Sequence, residues 1–280
     1  MNVLQTRALT ALIIVIVVIG GAVLHPISNF ILFILLSLGC LWEFNKHLLA
    51  HEGIGTKDSR IYLNCLFGLL PLMWAANLIF GWKILNPLSL LLSLVFVFFI
   101  AFSAFLLKEL RSAHDRPFHL SAFGILGMIY IGIPFAFALW VSQLDGLFFA
   151  QWIVLIFFYL WSNDTFAYLI GSKFGRRPFF LRISPKKTWE GTIGGITCCI
   201  LSSFVFHYFL PQLSLGFLFG FGALIATFGT MGDLVESMYK RAVGIKDSGQ
   251  MMPGHGGFLD RFDSFLFVMP YAALYIYLFA

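Results

Sequence analysis

The chain has 280 residues, 60% hydrophobic and only 11% charged. A soluble domain is nearer half apolar and a quarter charged, so a water-soluble globule of this length is excluded. The net charge of +5 could suggest a nucleic-acid partner, but its distribution along the chain assigns it to membrane orientation, and no nucleic-acid partner is expected.

The apolar residues fall in runs of about 20, the length that crosses a hydrocarbon core roughly 30 Å thick. In chain order the expected spans are Ala8–Leu24, Ser28–Leu48, Ile61–Phe80, Pro87–Leu107, Phe118–Val141, Phe148–Gly171, Gly191–Leu210, Ser214–Gly232 and Ser264–Ala280. The first lacks a convincing A-x-A cleavage site and is read as an uncleaved anchor. Alternate connections carry the positive charge. One set holds Arg7; Lys46, Lys57 and Arg60; Lys108, Arg111 and Arg116; the six from Lys173 to Lys187; and Lys240, Arg241, Lys246 and Arg261. The other set, near His25, Asp145 and Pro211, holds none, with Lys83 the sole exception. Positive loops stay in the cytoplasm during insertion. The expectation is an all-α, polytopic transmembrane helix bundle of about nine spans, N-terminus cytoplasmic and C-terminus outside, forming a single integral membrane domain over residues 1–280.

Two late helices are rich in small residues: Gly191, Gly194 and Gly195, then Gly216, Gly220 and Gly222. Such positions let helix backbones approach closely in lipid. They allow a homodimer without requiring one. Cys40, Cys65, Cys198 and Cys199 lie in apolar runs without CxxC spacing and are read as buried thiols.

The polar chemistry is concentrated over residues 160–264. Asp164 lies within the sixth span, about 10 Å from its cytoplasmic end at 1.5 Å per residue. An ionised side chain there must face the bundle interior or a wet cavity. In Ser184-Pro-Lys-Lys-Thr-Trp-Glu-Gly191, Ser before Pro resembles a helix N-cap followed by Pro at the first helical position. Lys186 and Lys187 would then sit at a helix N-terminus, where the dipole disfavours cations unless an anion is bound nearby. The densest stretch runs from Gly232 to Asp263. Asp233, Glu236 and Lys240 share a helical face, as do Asp260 and Asp263. Between them lies the glycine-rich turn Pro253-Gly-His-Gly-Gly257, where a ligand can approach the backbone closely. Carboxylates at a membrane surface suit Mg²⁺, which prefers a few of them plus substrate phosphates. Clustered Lys and Arg suit the remaining phosphate charge. These residues point to metal-assisted chemistry on a phosphate compound at the cytoplasmic face.

The run Ser237-x-x-Lys240-Arg241-x4-Lys246-Asp247-x-Gly249-x3-Pro253-x-His255-Gly256-Gly257-x-x-Asp260-Arg261-x-Asp263 resembles the signature of phosphatidate cytidylyltransferases, the CDP-diacylglycerol synthases. Ser184-Pro-Lys-Lys-Thr-x-Glu190-Gly191 and Asp164-Thr-x-Ala-Tyr168 are similar to the same family. Tyr239 and Met252 stand where smaller or aliphatic apolar residues are usual. The resemblance implies transfer of CMP from CTP to phosphatidic acid with Mg²⁺, in the cell membrane of a bacterium, with the active site facing the cytoplasm; a second cation is compatible with it. It implies Asp233 and Asp260 as the leading metal ligands, followed by Glu236, Asp263 and Asp164. Lys186, Lys187, Lys240, Arg241, Lys246 and Arg261 would hold the triphosphate or the lipid phosphate. His255 would donate to a phosphate oxygen or brace the glycine turn. The other histidines, such as His25, His47 and His207, are read as interfacial or structural.

Other readings explain less. A transporter accounts for Asp164 but leaves the Lys-Arg-x4-Lys-Asp run and the glycine turn unexplained. A CTP-dependent lipid-alcohol kinase would move the γ-phosphate and release CDP. The DG-x2-AR-x8-G-x3-D-x3-D run of CDP-alcohol phosphotransferases is absent.

Overall fold

The computed structural model describes residues 3–55, 57–81, 95–100, 102–103, 106–107, 110, 119–144, 149–249 and 256–280. Among them, seven helices are long and apolar enough to cross a membrane: Pro26–His51, Ser59–Phe80, Ser121–Ser142, Gln151–Phe174, Trp189–Phe209, Leu215–Ala242 and Leu259–Phe279. The chain is an all-α polytopic membrane protein. Of the two other expected spans, the first coincides with the helix Val3–Val23, whose segment Leu12–Val23 is apolar. The fourth, Pro87–Leu107, lies largely outside the described residues. Backbone contacts group the chain into two compact units. One is Met1–Leu144 with Asp247–Asp260, and the other is Asp145–Lys246 with Arg261–Ala280.

The first unit contains α1 (Val3–Val23), α2 (Pro26–His51), α3 (Ser59–Phe80), α4 (His119–Gly127) and α5 (Ile133–Ser142). His25 caps α2, its Nδ1 accepting from the Ile27 amide, and Pro26 takes the first turn, where a missing N–H costs nothing. Asp58 caps α3 by accepting from the Arg60 amide and also pairs with the Arg60 guanidinium at 3.0 Å. A π-helical turn, Met128–Gly132, joins α4 to α5. Pro134, at the start of α5, cannot donate to the carbonyl four residues back, and the widened turn accommodates its ring. Lipid offers no hydrogen bonds, and two buried asparagines of the bundle bond to one another. Asn64 donates to Asn45 at 2.9 Å, and Asn45 donates to the Leu41 carbonyl at 2.8 Å.

The second unit contains α6 (Gln151–Phe174), strands β1 (Pro178–Phe180) and β2 (Ser184–Thr188), α7 (Trp189–Phe209), α8 (Leu215–Ala242) and most of α9 (Leu259–Phe279). Glycines set the spacing of α6 and α7. A Cβ on Gly191 would lie 2.8 Å from the Ala167 carbonyl oxygen and 2.9 Å from Gly171 Cα. One on Gly195 would lie 2.8 Å from Ala167 Cβ. Deeper in the unit, Tyr159 is fully buried. Its hydroxyl lies 2.8 Å from Ser203 Oγ and donates to the Leu218 carbonyl at 3.1 Å, linking α6, α7 and α8. The Phe157 and Phe265 rings stack 4.8 Å apart. α8 has 28 residues, about 42 Å at 1.5 Å per residue. It outruns the hydrocarbon core, which is why its last turns can carry Asp233, Glu236, Lys240 and Arg241. Cys198 is half-buried, and Cys40, Cys65 and Cys199 are buried.

The expected N-cap at Ser184 is corrected. Ser184–Thr188 is a strand, paired antiparallel with Pro178–Phe180, so Lys186 and Lys187 lie in extended backbone. The cap is Thr188, whose Oγ1 accepts from the Gly191 amide at 3.2 Å. Ser-Pro suits a helix start only when the next residues continue the helix. A proline on a strand of this two-stranded hairpin also interrupts no central ladder.

Candidate active site

In the second unit, α6, β2, α7 and α8 enclose a cavity of about 430 Å³. Its walls include Asn163 and Asp164 from α6, Lys186, Lys187 and Thr188 from the hairpin and the cap, and Thr230 and Asp233 from α8. The glycine contact between α6 and α7 brings this about. With no side chain at Gly171 or Gly191, the helix ends meet, and the hairpin that precedes α7 lies against the last turns of α6. Glu190 fastens the hairpin. Its Oε2 accepts from the Arg176 amide at 3.0 Å and the Arg177 amide at 3.2 Å. The Trp189 amide also donates to the Arg177 carbonyl at 2.9 Å.

Asp164 is exposed on the cavity wall, as an acid within a span requires. Lys187 Nζ lies 2.5 Å from Asp233 Oδ2. The Ser237 hydroxyl donates to Asp233 Oδ1 at 3.3 Å. Asp164 and Asp263 both feel the negative charge of Asp233. Lys187 and Arg261 oppose it at Asp164, and Lys240 at Asp263. Asn163 is buried and donates to Thr230 Oγ1 at 3.2 Å; its own carbonyl oxygen has no hydrogen-bond partner among the described residues.

The remaining candidates are placed differently. Glu236 is fully buried and ion-paired with Lys240 one turn on. Arg241 is exposed and donates to the Ile245 carbonyl at 3.2 Å, closing the end of α8. Lys246 and Arg261 are exposed. Asp263 is half-buried and accepts from the Ser264 amide at 2.6 Å. Asp260 belongs to the first unit. Its Oδ2 accepts from the Ser248 amide at 2.8 Å and the Gly257 amide at 2.9 Å, and lies 2.9 Å from Ser248 Oγ. His255 lies outside the described residues. Among the described residues, no three His, Cys, Asp or Glu side chains converge as a metal ligand set.

Sequence reasoning passes over Asn163, Thr230, Glu43 and Ser248. Glu43 carried a usable signal, being an acid within an apolar span like Asp164. Asn163 stands directly before Asp164. Thr230 and Ser248 carry no signal by themselves.

The chain matches the model of the cytidylyltransferase family over residues 5–279. It is 35% identical over 273 residues to the phosphatidate cytidylyltransferase of Staphylococcus saprophyticus, covering 95% of this chain and 96% of that one. It is 40% identical over 179 residues to the phosphatidate cytidylyltransferase of Staphylococcus aureus strain COL. That match covers 64% of this chain and 66% of the relative's own length, just under two thirds. With the Staphylococcus epidermidis phosphatidate cytidylyltransferase the identity is 42% over 151 residues, covering 54% and 56%. The chain belongs to the cytidylyltransferase family.

Proposed function

We propose that this protein transfers CMP from CTP to phosphatidic acid, giving CDP-diacylglycerol and pyrophosphate for phospholipid synthesis. The observation that carries this reading is the set of Lys186, Lys187, Asp164 and Asp233 around one cavity, in a chain of this family. Its volume, about 430 Å³, lies within the range of small-molecule sites, about 300–1,000 Å³.

The nucleophile is an oxygen of a phosphate monoester, ionised at neutral pH, so no strong general base is needed. The obstacles are repulsion between two anions and alignment at the α-phosphate. Lys186 and Lys187, which both line the cavity, would meet the first with their positive charge. The Asp233 carboxylate holds the Lys187 ammonium in place. Lys240, Arg241, Lys246 and Arg261 add positive charge for the triphosphate or the lipid phosphate.

Mg²⁺ is part of this reading. The donor chemistry fits: Asp164, Asp233 and Asp263 bear on one another electrostatically and offer only oxygen. A three-residue cage is not required, because Mg²⁺ keeps waters and is held by one or two carboxylates plus substrate phosphates. Asp233 in the second unit and Asp260 in the first are each proposed as metal ligands, ahead of Glu236, Asp263 and Asp164. When bound, the ion would neutralise charge on phosphate oxygens.

The orientation is part of the proposal too. Lys186 and Lys187 of the cavity wall fall in a positive connection together with Arg176, Arg177 and Arg182, which favours the cytoplasmic side of the cell membrane. Nine spans would put the N-terminus on that side and the C-terminus outside.

Purified protein incubated with phosphatidate, Mg²⁺ and CTP labelled at the α-phosphate tests the reading. Label entering lipid supports it. Label retained in CDP points to kinase chemistry, and no turnover removes the reading.

A further inference from the structure

Within the first unit, one stripe of α2 receives Ser248, Gly249 and residues 257–259 of the signature run. Gly39, Glu43 and His47 stand four residues apart, so each lies about one turn above the last. The Phe258 ring fills the place of a side chain at Gly39: a Cβ there would lie 2.8 Å from its Cδ2. His47 Nε2 lies 2.5 Å from the Ser248 carbonyl oxygen. A carbonyl only accepts, so that nitrogen carries the proton. Between them Glu43, 3% exposed, accepts at Oε2 from the Ser248 hydroxyl at 2.8 Å and the Leu259 amide at 3.0 Å.

Ser248 links this stripe to the signature carboxylate. Its amide donates to Asp260 Oδ2, which also accepts from the Gly257 amide, while its Oγ, with its proton directed to Glu43, accepts from the Asp260 amide at 3.3 Å. The loop glycines fit the same arrangement. A Cβ on Gly257 would strike Glu43 Oε2 and Ser248 Oγ, and one on Gly249 would strike Glu43 Oε1. The Glu43 carboxylate therefore occupies the room that Gly249 and Gly257 leave.

We propose that Glu43 is a positioning residue for the transfer reaction: through Ser248 it fixes the Asp260 carboxylate in the orientation that metal binding needs. This rests on the proposed function, in which Asp260 is a metal ligand. A purely architectural staple explains the contacts less well. A buried carboxylate is costly to desolvate, and an apolar side chain would hold a loop against α2 at lower cost. What an apolar side chain cannot do is accept from Ser248 Oγ and the Leu259 amide, the two donors that set the Ser248–Asp260 geometry. Groups that orient a metal-binding carboxylate typically change metal affinity or activity by about 10- to 100-fold.

The test uses the full chain in detergent, with Mn²⁺ as the probe. Bound Mn²⁺ is followed by electron paramagnetic resonance, alongside the Mg²⁺ dependence of CMP transfer and hydrogen exchange at Ser248, Gly257 and Leu259. Glu43→Ala is expected to raise the Mn²⁺ half-saturation concentration about 10- to 100-fold, and Ser248→Ala about tenfold. Both should speed exchange at those amides and leave the KM for phosphatidate unchanged. Glu43→Gln, whose amide oxygen can accept the same two bonds, should restore Mn²⁺ binding to within about threefold of the parent. A staple that serves folding alone would lower the melting temperature without altering the metal affinity of the folded fraction. The proposal is overturned by folded Glu43→Ala protein with parental Mn²⁺ affinity, or by Glu43→Gln as weak as Glu43→Ala. If Glu43→Ala does not fold, Ser248→Ala decides, and parental affinity there overturns the proposal. A parent that binds Mn²⁺ without moving labelled CMP overturns the proposed reaction and leaves the positioning role to the binding arm. A parent that binds no Mn²⁺ overturns the positioning role.

Discussion

Lys187 on β2 and Asp233 on α8 meet at 2.5 Å on the wall of the cavity, with side chains 27% and 35% exposed. A partly solvated ion pair of this kind contributes little to stability, typically about 0–1 kcal/mol. Its consequence is local: it places an ammonium group where a phosphate would enter and steadies a carboxylate beside it.

Lys187→Ala and Asp233→Asn should therefore separate activity from stability. Each is expected to lower kcat/KM for CMP transfer by about 10²- to 10³-fold, the usual cost of losing one oriented electrostatic group. The melting temperature in detergent should change little. Near-parental turnover in both variants would remove this pair from the reaction.

Asp164→Asn keeps the volume of the side chain and removes its charge. If Asp164 supports the metal and phosphate site from the cavity wall, CMP transfer should fall by about 10- to 100-fold, with the protein still inserted in the membrane. The check is a radiolabel assay on equal amounts of monodisperse protein. Unchanged activity would assign Asp164 to packing.

Gly191 and Gly216 offer a matched contrast. Gly191→Ala would press a methyl against Gly171 Cα and the Ala167 carbonyl, forcing α6 and α7 apart. A loss of about 1–3 kcal/mol is expected from such overpacking. Gly216, in the first turn of α8, has open space around it, so Gly216→Ala should be neutral or slightly stabilising. Thermal unfolding of the two variants side by side reads the difference, and equal melting temperatures would contradict it.

Glu190→Gln tests the fastening of the hairpin. The variant replaces a charged acceptor of the Arg176 and Arg177 amides with a neutral one. Hydrogen exchange at these two amides should accelerate, and the KM for CTP should rise because Lys186 and Lys187 lose their fixed position. Unchanged exchange would mean that the strand pairing alone holds the hairpin.

Tyr159→Phe removes one buried hydroxyl shared by α6, α7 and α8. Ser203 Oγ can still donate to the Leu218 carbonyl at 3.1 Å, so no group is fully stranded. A loss of about 1 kcal/mol is expected, measurable as a lower melting temperature with unaltered turnover.

Much of this molecule was legible in the sequence. Seven of the expected spans appear, among the described residues, as helices long and apolar enough to cross a membrane, because length and hydropathy are local properties. Asp164 was identifiable because an acid inside a span has few places to go. Asp233 and Lys187, 46 positions apart, were both named as candidates from their surroundings, although nothing local showed that they touch. The strand at Ser184–Thr188 was misread because Ser-Pro starts a helix only where the next residues are free to continue one. There, pairing with Pro178–Phe180 and the clamp from Glu190 outweigh it.

The sequence by itself determined the class of the protein, its apolar spans and the inventory of carboxylates, cations and glycines in its polar stretch. Those properties come from composition and from spacing within single elements. Tertiary structure alone decided which of these groups meet. Glu43 and Ser248 share a hydrogen bond across 205 residues, and Gly171 and Gly191 let two helices touch so that a hairpin borders a cavity. Such relationships depend on how helices pack, and packing is set by close contacts between surfaces that no single stretch of chain contains.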